Sequence, residues 1–132
     1  MTLQGQPSQR QTTEQKRAYQ AWQSVESIQK EDKKVRGEYG TQARKLAAMI
    51  QINGLANTVA FHKSKDNVAQ SRLMEHLEAW LQIMLKTDQN LMNYIMETST
   101  ENYRRATSEA IVFAGWLKRF VDAKGWKSSE GG

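Results

Sequence analysis

Apolar residues step by three and four along almost the whole chain, the spacing of one face of a helix. Thr13 can cap a first helix running to about Lys34, with Ala18, Ala21, Trp22, Val25 and Ile28 on one side and Gln, Lys, Glu and Asp on the other. Gly37 and Gly40 read as flanking a kink or short turn. A second helix follows to about Asn53, with Tyr39, Ala43, Leu46, Ala47 and Ile50 inward, and Asn53-Gly54 ends it. A short third helix, Leu55 to Ser64, turns Leu55, Val59 and one side of Phe61 inward. Asp66-Asn67 caps a fourth, to about Lys86, in which Leu73, Leu77, Trp80, Leu81 and Met84 repeat. Asp88 can cap a fifth, Gln89 to Met96. Thr98-Ser99-Thr100-Glu101 has the form of a capping box, opening a sixth helix to about Lys124 with Tyr103, Ala106, Ala110, Phe113, Leu117 and Phe120 inward. No segment alternates with period two. The pattern predicts an all-α fold, a single compact bundle of about six helices over residues 13–125, between flexible polar tails at 1–12 and 126–132.

Composition narrows the chemistry. At 132 residues, 39% hydrophobic and 25% charged, the chain has the balance of one globular domain with a core of its own. It has no Cys, which removes disulfides, Cys-type zinc sites and thiol nucleophiles. The longest apolar run, Ala110 to Leu117, is far short of the roughly 20 residues a membrane helix needs. Met1-Thr2-Leu3-Gln4 offers neither the basic nor the apolar region of a secretory signal, so the expected address is cytoplasmic. His62 and His76 sit in no metal-ligand spacing, and neither a phosphate loop nor a nucleophile motif occurs. The expectation is a chain that is no enzyme and needs no cofactor or metal.

Charge points elsewhere. Residues 1–65 hold eleven Lys/Arg against five Asp/Glu, a net of +6, while residues 66–132 net −1. Lys16-Arg17, Lys33-Lys34, Arg44-Lys45 and Lys63-Lys65 come in pairs or near-pairs, a pattern that neutralises phosphates without reading bases. These eight are the candidate nucleic-acid-binding residues. Trp22, Tyr39 and Phe61 lie at core spacing rather than interleaved among them, which favours backbone contact over base stacking. If the second and third helices fold back across Asn53-Gly54, then Arg44, Lys45, Lys63 and Lys65 converge on one edge. The same stretch also admits a helix-turn-helix reading, a DNA-binding regulator with Asn57, Thr58 and His62 outward on the recognition helix. Ile50 stands where that motif wants a smaller side chain.

Longer blocks are more specific. Tyr39-Gly40-Thr41-x-Ala43-Arg44-Lys45-Leu46 leads through Ile50-Gln51-x-Asn53-Gly54-Leu55 to Thr58-x-Ala60-Phe61-x-Lys63-Ser64-Lys65. Later come Tyr103-x-x-Ala106-x-x-Glu109-Ala110 and Trp116-Leu117-Lys118-Arg119-Phe120-x-x-Ala123. Over about residues 14–124 their order and spacing resemble the small helical subunit of the Cmr complex, the type III-B CRISPR RNA-silencing effector. The resemblance implies a non-catalytic antiviral-defence protein whose copies stack on one another beside the repeated backbone subunit as a minor filament. Its partners would be the other Cmr subunits, CRISPR RNA and target RNA, with no membrane involved. Arg44, Lys45, Lys63, Lys65 and Lys118-Arg119 lie inside the matching blocks, whereas Lys16, Arg17, Lys33 and Lys34 rest on charge alone. Gly54, Trp116 and Phe120 are structural in this view, the two aromatics as core or subunit interface.

Overall fold

A computed structural model describes residues 12–127 and folds them into six helices: α1 Thr13–Ile28, α2 Lys33–Asn53, α3 Leu55–Lys63, α4 Val68–Leu85, α5 Leu91–Glu97 and α6 Thr100–Lys124. The expected all-α bundle is the observed one, and no strand occurs among the described residues.

α2 and α6, the two longest helices, pack antiparallel along the molecule. Arg44 meets Asp122 at one end of the pair, and Gly54 comes up to the Tyr103 hydroxyl at the other. α1 lies along α6 in the same direction, with Arg17 at Glu109 and Glu26 at Lys124. α4 closes the bundle, laying Trp80 flat against Phe113 with ring centres 5.7 Å apart. Val25, Tyr39, Leu46, Leu73, Phe113 and Leu117 are among the side chains fully removed from solvent. A seam of half-buried aromatics follows the α1–α6 junction: Phe120 sits 5.1 Å from Trp22 and 5.6 Å from Trp116. Both seam residues of α6 pack on the core, as expected, while keeping an edge in water.

Several boundaries differ from the pattern's reading. The first helix stops at Ile28, and Asp32, read as a solvated residue within it, instead caps α2 by accepting from the Val35 N–H at 2.9 Å. Gly37 and Gly40 make no kink; they lie inside α2, buried. At Gly40 the reason is close approach: a Cβ there would stand 3.0 Å from Val121 Cγ1 and 3.3 Å from the Trp126 carbonyl oxygen. Thr12 rather than Thr13 caps α1, forming a reciprocal capping box with Gln15. α5 is capped by Asn90 rather than Asp88, and α6 by Ser99, so the box expected between Thr98 and Glu101 does not form. The bundle also extends past Gly125. Trp126 is only 8% exposed, its ring edge-on to Tyr39, so the core takes in a residue assigned to the tail. The remainder of the two expected tails, 1–11 and 128–132, lies outside the described residues.

α2 and α3 are joined through one residue. Gly54, at φ +88°, ends the first helix and begins the second, a backbone conformation that side chains rarely tolerate. α3 has no side-chain cap of its own; its Ala56 N–H donates at 3.0 Å to the Tyr103 hydroxyl of α6.

Candidate nucleic-acid interface

The eight cations singled out by spacing divide in two. Arg17 and Arg44 are engaged within the fold. Arg17 grips Glu109 with Nε and a terminal nitrogen, at 2.5 and 2.9 Å, and both side chains are largely shielded, at 15% and 11% exposed. Glu109 also accepts the Trp80 indole N–H at 2.8 Å, so α1, α4 and α6 meet on one carboxylate. Hydrogen bonding to Glu109 raises the Arg17 pKa further still, against the cost of burial. Arg44 pairs with Asp122 at 2.7 Å and donates to the Trp126 carbonyl, which fixes the segment just after α6 to α2. Neither guanidinium is a loose cation awaiting a phosphate.

Lys16, Lys33, Lys34, Lys45, Lys63 and Lys65 are exposed and have no ion-pair partner among the described residues. Arg44 does not join Lys45, Lys63 and Lys65 as expected. Arg44 turns toward α6. Lys63 instead borders an open groove of about 340 Å³ shared with Ser71, Met74 and Glu75 of α4. Lys65 holds its ammonium 4.8 Å from the centre of the half-exposed Phe61 ring. α3 is rotated so that it buries Thr58 and His62, at 1% and 0% exposed, and leaves Phe61 outside. The same rotation takes two of the three residues from the outward face that the helix-turn-helix reading needed. Four further exposed cations, Arg104, Arg105, Lys118 and Arg119, project from α6. Spacing alone passed over the first two, because Glu101 and Glu109 stand one turn away and nominally cancel them.

Both imidazoles are packed within the fold, His76 with both ring nitrogens partnered and His62 with Nδ1 alone. His62 is buried, Nδ1 lying 3.1 Å from Gln70 Nε2, and burial lowers its pKa. His76 bridges two helices, with Nδ1 2.7 Å from the Tyr39 hydroxyl and Nε2 3.1 Å from Ser27 Oγ. The Ser27 hydroxyl proton goes to the Ser24 carbonyl at 2.6 Å. Ser27 Oγ therefore accepts from Nε2–H, and Nδ1 accepts from Tyr39. Burial, aided by the nearby Arg72 charge, holds the His76 pKa down to about 4, and burial pushes the Tyr39 hydroxyl up. Between about pH 6.5 and pH 4 the unfolded chain takes up a proton on this histidine that the folded chain refuses. Stability is accordingly full above about pH 6.5 and should fall by about 3 kcal/mol as pH drops to 4. Thermal melts across that window test this, and His76→Gln should flatten the slope.

Comparison with known proteins decides the family. The profile described as CRISPR-associated protein (Cas_Cmr5) matches residues 13–124, nearly all of the described bundle. The chain belongs to the Cas_Cmr5 family. A Thermus thermophilus relative, CRISPR system Cmr subunit Cmr5, is 33% identical over 89 residues, covering 67% of this chain and 75% of its own. The crystal structure of a CRISPR-associated Cmr5 family protein, also from Thermus thermophilus, superposes with a TM-score of 0.74 at 29% identity, covering 86% of this chain and 97% of the other. Within this Cas_Cmr5 chain, the Tyr103 to Ala110 block holds the Tyr103 hydroxyl that caps α3 and the Glu109 carboxylate that joins three helices. No helix among the described residues is long and apolar enough to cross a membrane.

Proposed function

We propose that this Cas_Cmr5 chain is a non-catalytic subunit of a type III-B CRISPR Cmr complex, acting in antiviral defence in the cytoplasm. Copies of it stack on one another as the minor filament beside the backbone subunit and help hold target RNA, paired with the guide, through contacts to phosphates. The family match over residues 13–124 carries this reading. The exposed lysines Lys16, Lys33, Lys34, Lys45, Lys63 and Lys65 support the RNA contact, since each is free to meet an anion. Both histidines are committed to packing, which supports a role without chemistry of its own.

The test is a complex reconstituted with wild-type subunit or with Lys45→Gln, Lys63→Gln and Lys65→Gln together. The variant should be incorporated normally and should bind target RNA more weakly whatever its sequence. Its log–log salt dependence should be shallower by about 2, at roughly 0.7 per single-strand phosphate contact. Wild-type chain that enters no complex and carries no CRISPR RNA would overturn the assignment. Unchanged affinity and slope would remove these three lysines from the RNA contact.

A further inference from the structure

α6 contains two carboxylates that its own cations could reach. Glu109 stands four residues after Arg105, and Asp122 stands four after Lys118 and three after Arg119, separations at which opposite charges pair along a helix. In the folded chain neither pairing forms. Glu109 is taken by Arg17 of α1 at 2.5 and 2.9 Å, and Asp122 by Arg44 of α2 at 2.7 Å. Arg104, Arg105, Lys118 and Arg119 are left exposed, without an ion pair among the described residues. A helix whose sequence sets acids one turn from its cations therefore presents a cationic outer face, on which Glu101 is the one carboxylate without an ion pair among the described residues.

The four cations form two pairs. Fourteen residues separate Arg104-Arg105 from Lys118-Arg119, close to a whole number of turns, so the pairs face the same way about 21 Å apart along the axis. Between them the solvent side offers Ser108, Val112 and Gly115, and a Cβ at Gly115 would meet nothing within 4 Å. A single strand spreads its phosphates evenly and would be matched by a continuous row of cations. Two clusters with a short, uncharged span between them match two phosphate ridges. A-form RNA supplies these, flanking a wide, shallow minor groove that a smooth helix face can approach.

We propose that the outer face of α6 seats an A-form RNA duplex, one cation pair on each phosphate ridge, and that Arg44 is a positioning residue that keeps Asp122 from neutralising Lys118 and Arg119. The proposal rests on the RNA-holding reading above and deepens it, adding the outer face of α6 to the surface that holds the guide-paired target. Arg44 then matters for RNA without touching it.

The test uses the full chain alone, titrated into a labelled RNA duplex of about 16 base pairs, its single strand, and the DNA duplex of the same sequence. The RNA duplex should bind most tightly. The variant Arg104→Gln, Arg105→Gln, Lys118→Gln, Arg119→Gln changes only exposed side chains; it should lower duplex affinity at least about tenfold and the salt slope by about 3.6, at roughly 0.9 per duplex phosphate contact. Arg44→Gln should weaken duplex binding several-fold, and adding Asp122→Asn should restore it, since the released carboxylate is then gone. Compared with Asp122→Asn alone, the double variant should lose nothing further, whereas a side chain that itself met phosphate would lose the same factor in either background. Unchanged affinity in the quadruple variant overturns the α6 site, and equal binding of single strand and duplex overturns the ligand. An Arg44→Gln variant that loses nothing, or that Asp122→Asn fails to rescue, overturns the positioning role. A chain that binds duplex through α6 yet enters no Cmr complex would overturn the function proposed above and leave this site standing.

Discussion

Phe113→Ala should lower stability by about 3–5 kcal/mol, a drop in melting temperature on the order of 10–20 °C for a chain of this size. Phe113 is fully buried at the middle of α6, and its ring lies nearly parallel to Trp80, 14° between planes. Alanine removes the stacked contact and leaves a void bounded by helices that are held apart by their other contacts. The cost is transfer plus cavity, because α4 cannot move in without dragging Glu109's partners with it. Thermal or urea denaturation followed by circular dichroism measures it. A melt that does not move would mean that this face of α6 is not packed against α4 at all.

Glu109→Ala should cost about 2–3 kcal/mol, by a different route. It strands the Arg17 guanidinium, 15% exposed, and the Trp80 indole N–H with no acceptor. Replacing both charges, Arg17→Met with Glu109→Leu, should recover the part of the loss that comes from the stranded guanidinium and leave only the Trp80 indole N–H without its acceptor. A double-mutant cycle separates the two outcomes. If Glu109→Ala alone costs less than about 0.5 kcal/mol, the three-helix junction is held by packing and the carboxylate is incidental.

What was legible in the sequence followed the periodicity of large apolar side chains. Ala106, Ala110, Phe113 and Leu117 were placed in the core by spacing, and the structure buries all four. Where polarity and periodicity disagree, the pattern misleads. α3 is nine residues long and turns Thr58 and His62 inward, so its apolar stripe is too short to fix its rotation. The break after Ile28 has neither Gly nor Pro, and Asp32 shows itself as a cap only once Val35 N–H is seen to reach it. Gly40 looks like punctuation in sequence and is a helix crossing in space. The interface residues were harder still. Arg17 and Arg44 look like phosphate ligands because the acids they hold are 92 and 78 residues away in the chain. Pairing over such separations belongs to tertiary structure, and it decides which charges each helix leaves on its surface.

The hydroxyl that Tyr103 lends to α3 also governs how the molecule breathes. A helix with its own capping side chain can fray and reclose alone, and its first amides exchange with solvent on that fast, local timescale. The Ala56 amide is tied instead to a residue 47 positions away on α6, across the one-residue joint at Gly54. Its release requires this one bond to α6 to break, while the rest of α3 stays packed on α2, α4 and α5. The exchange rate at Ala56 should therefore report the Tyr103 contact as well as the fraying of a helix end.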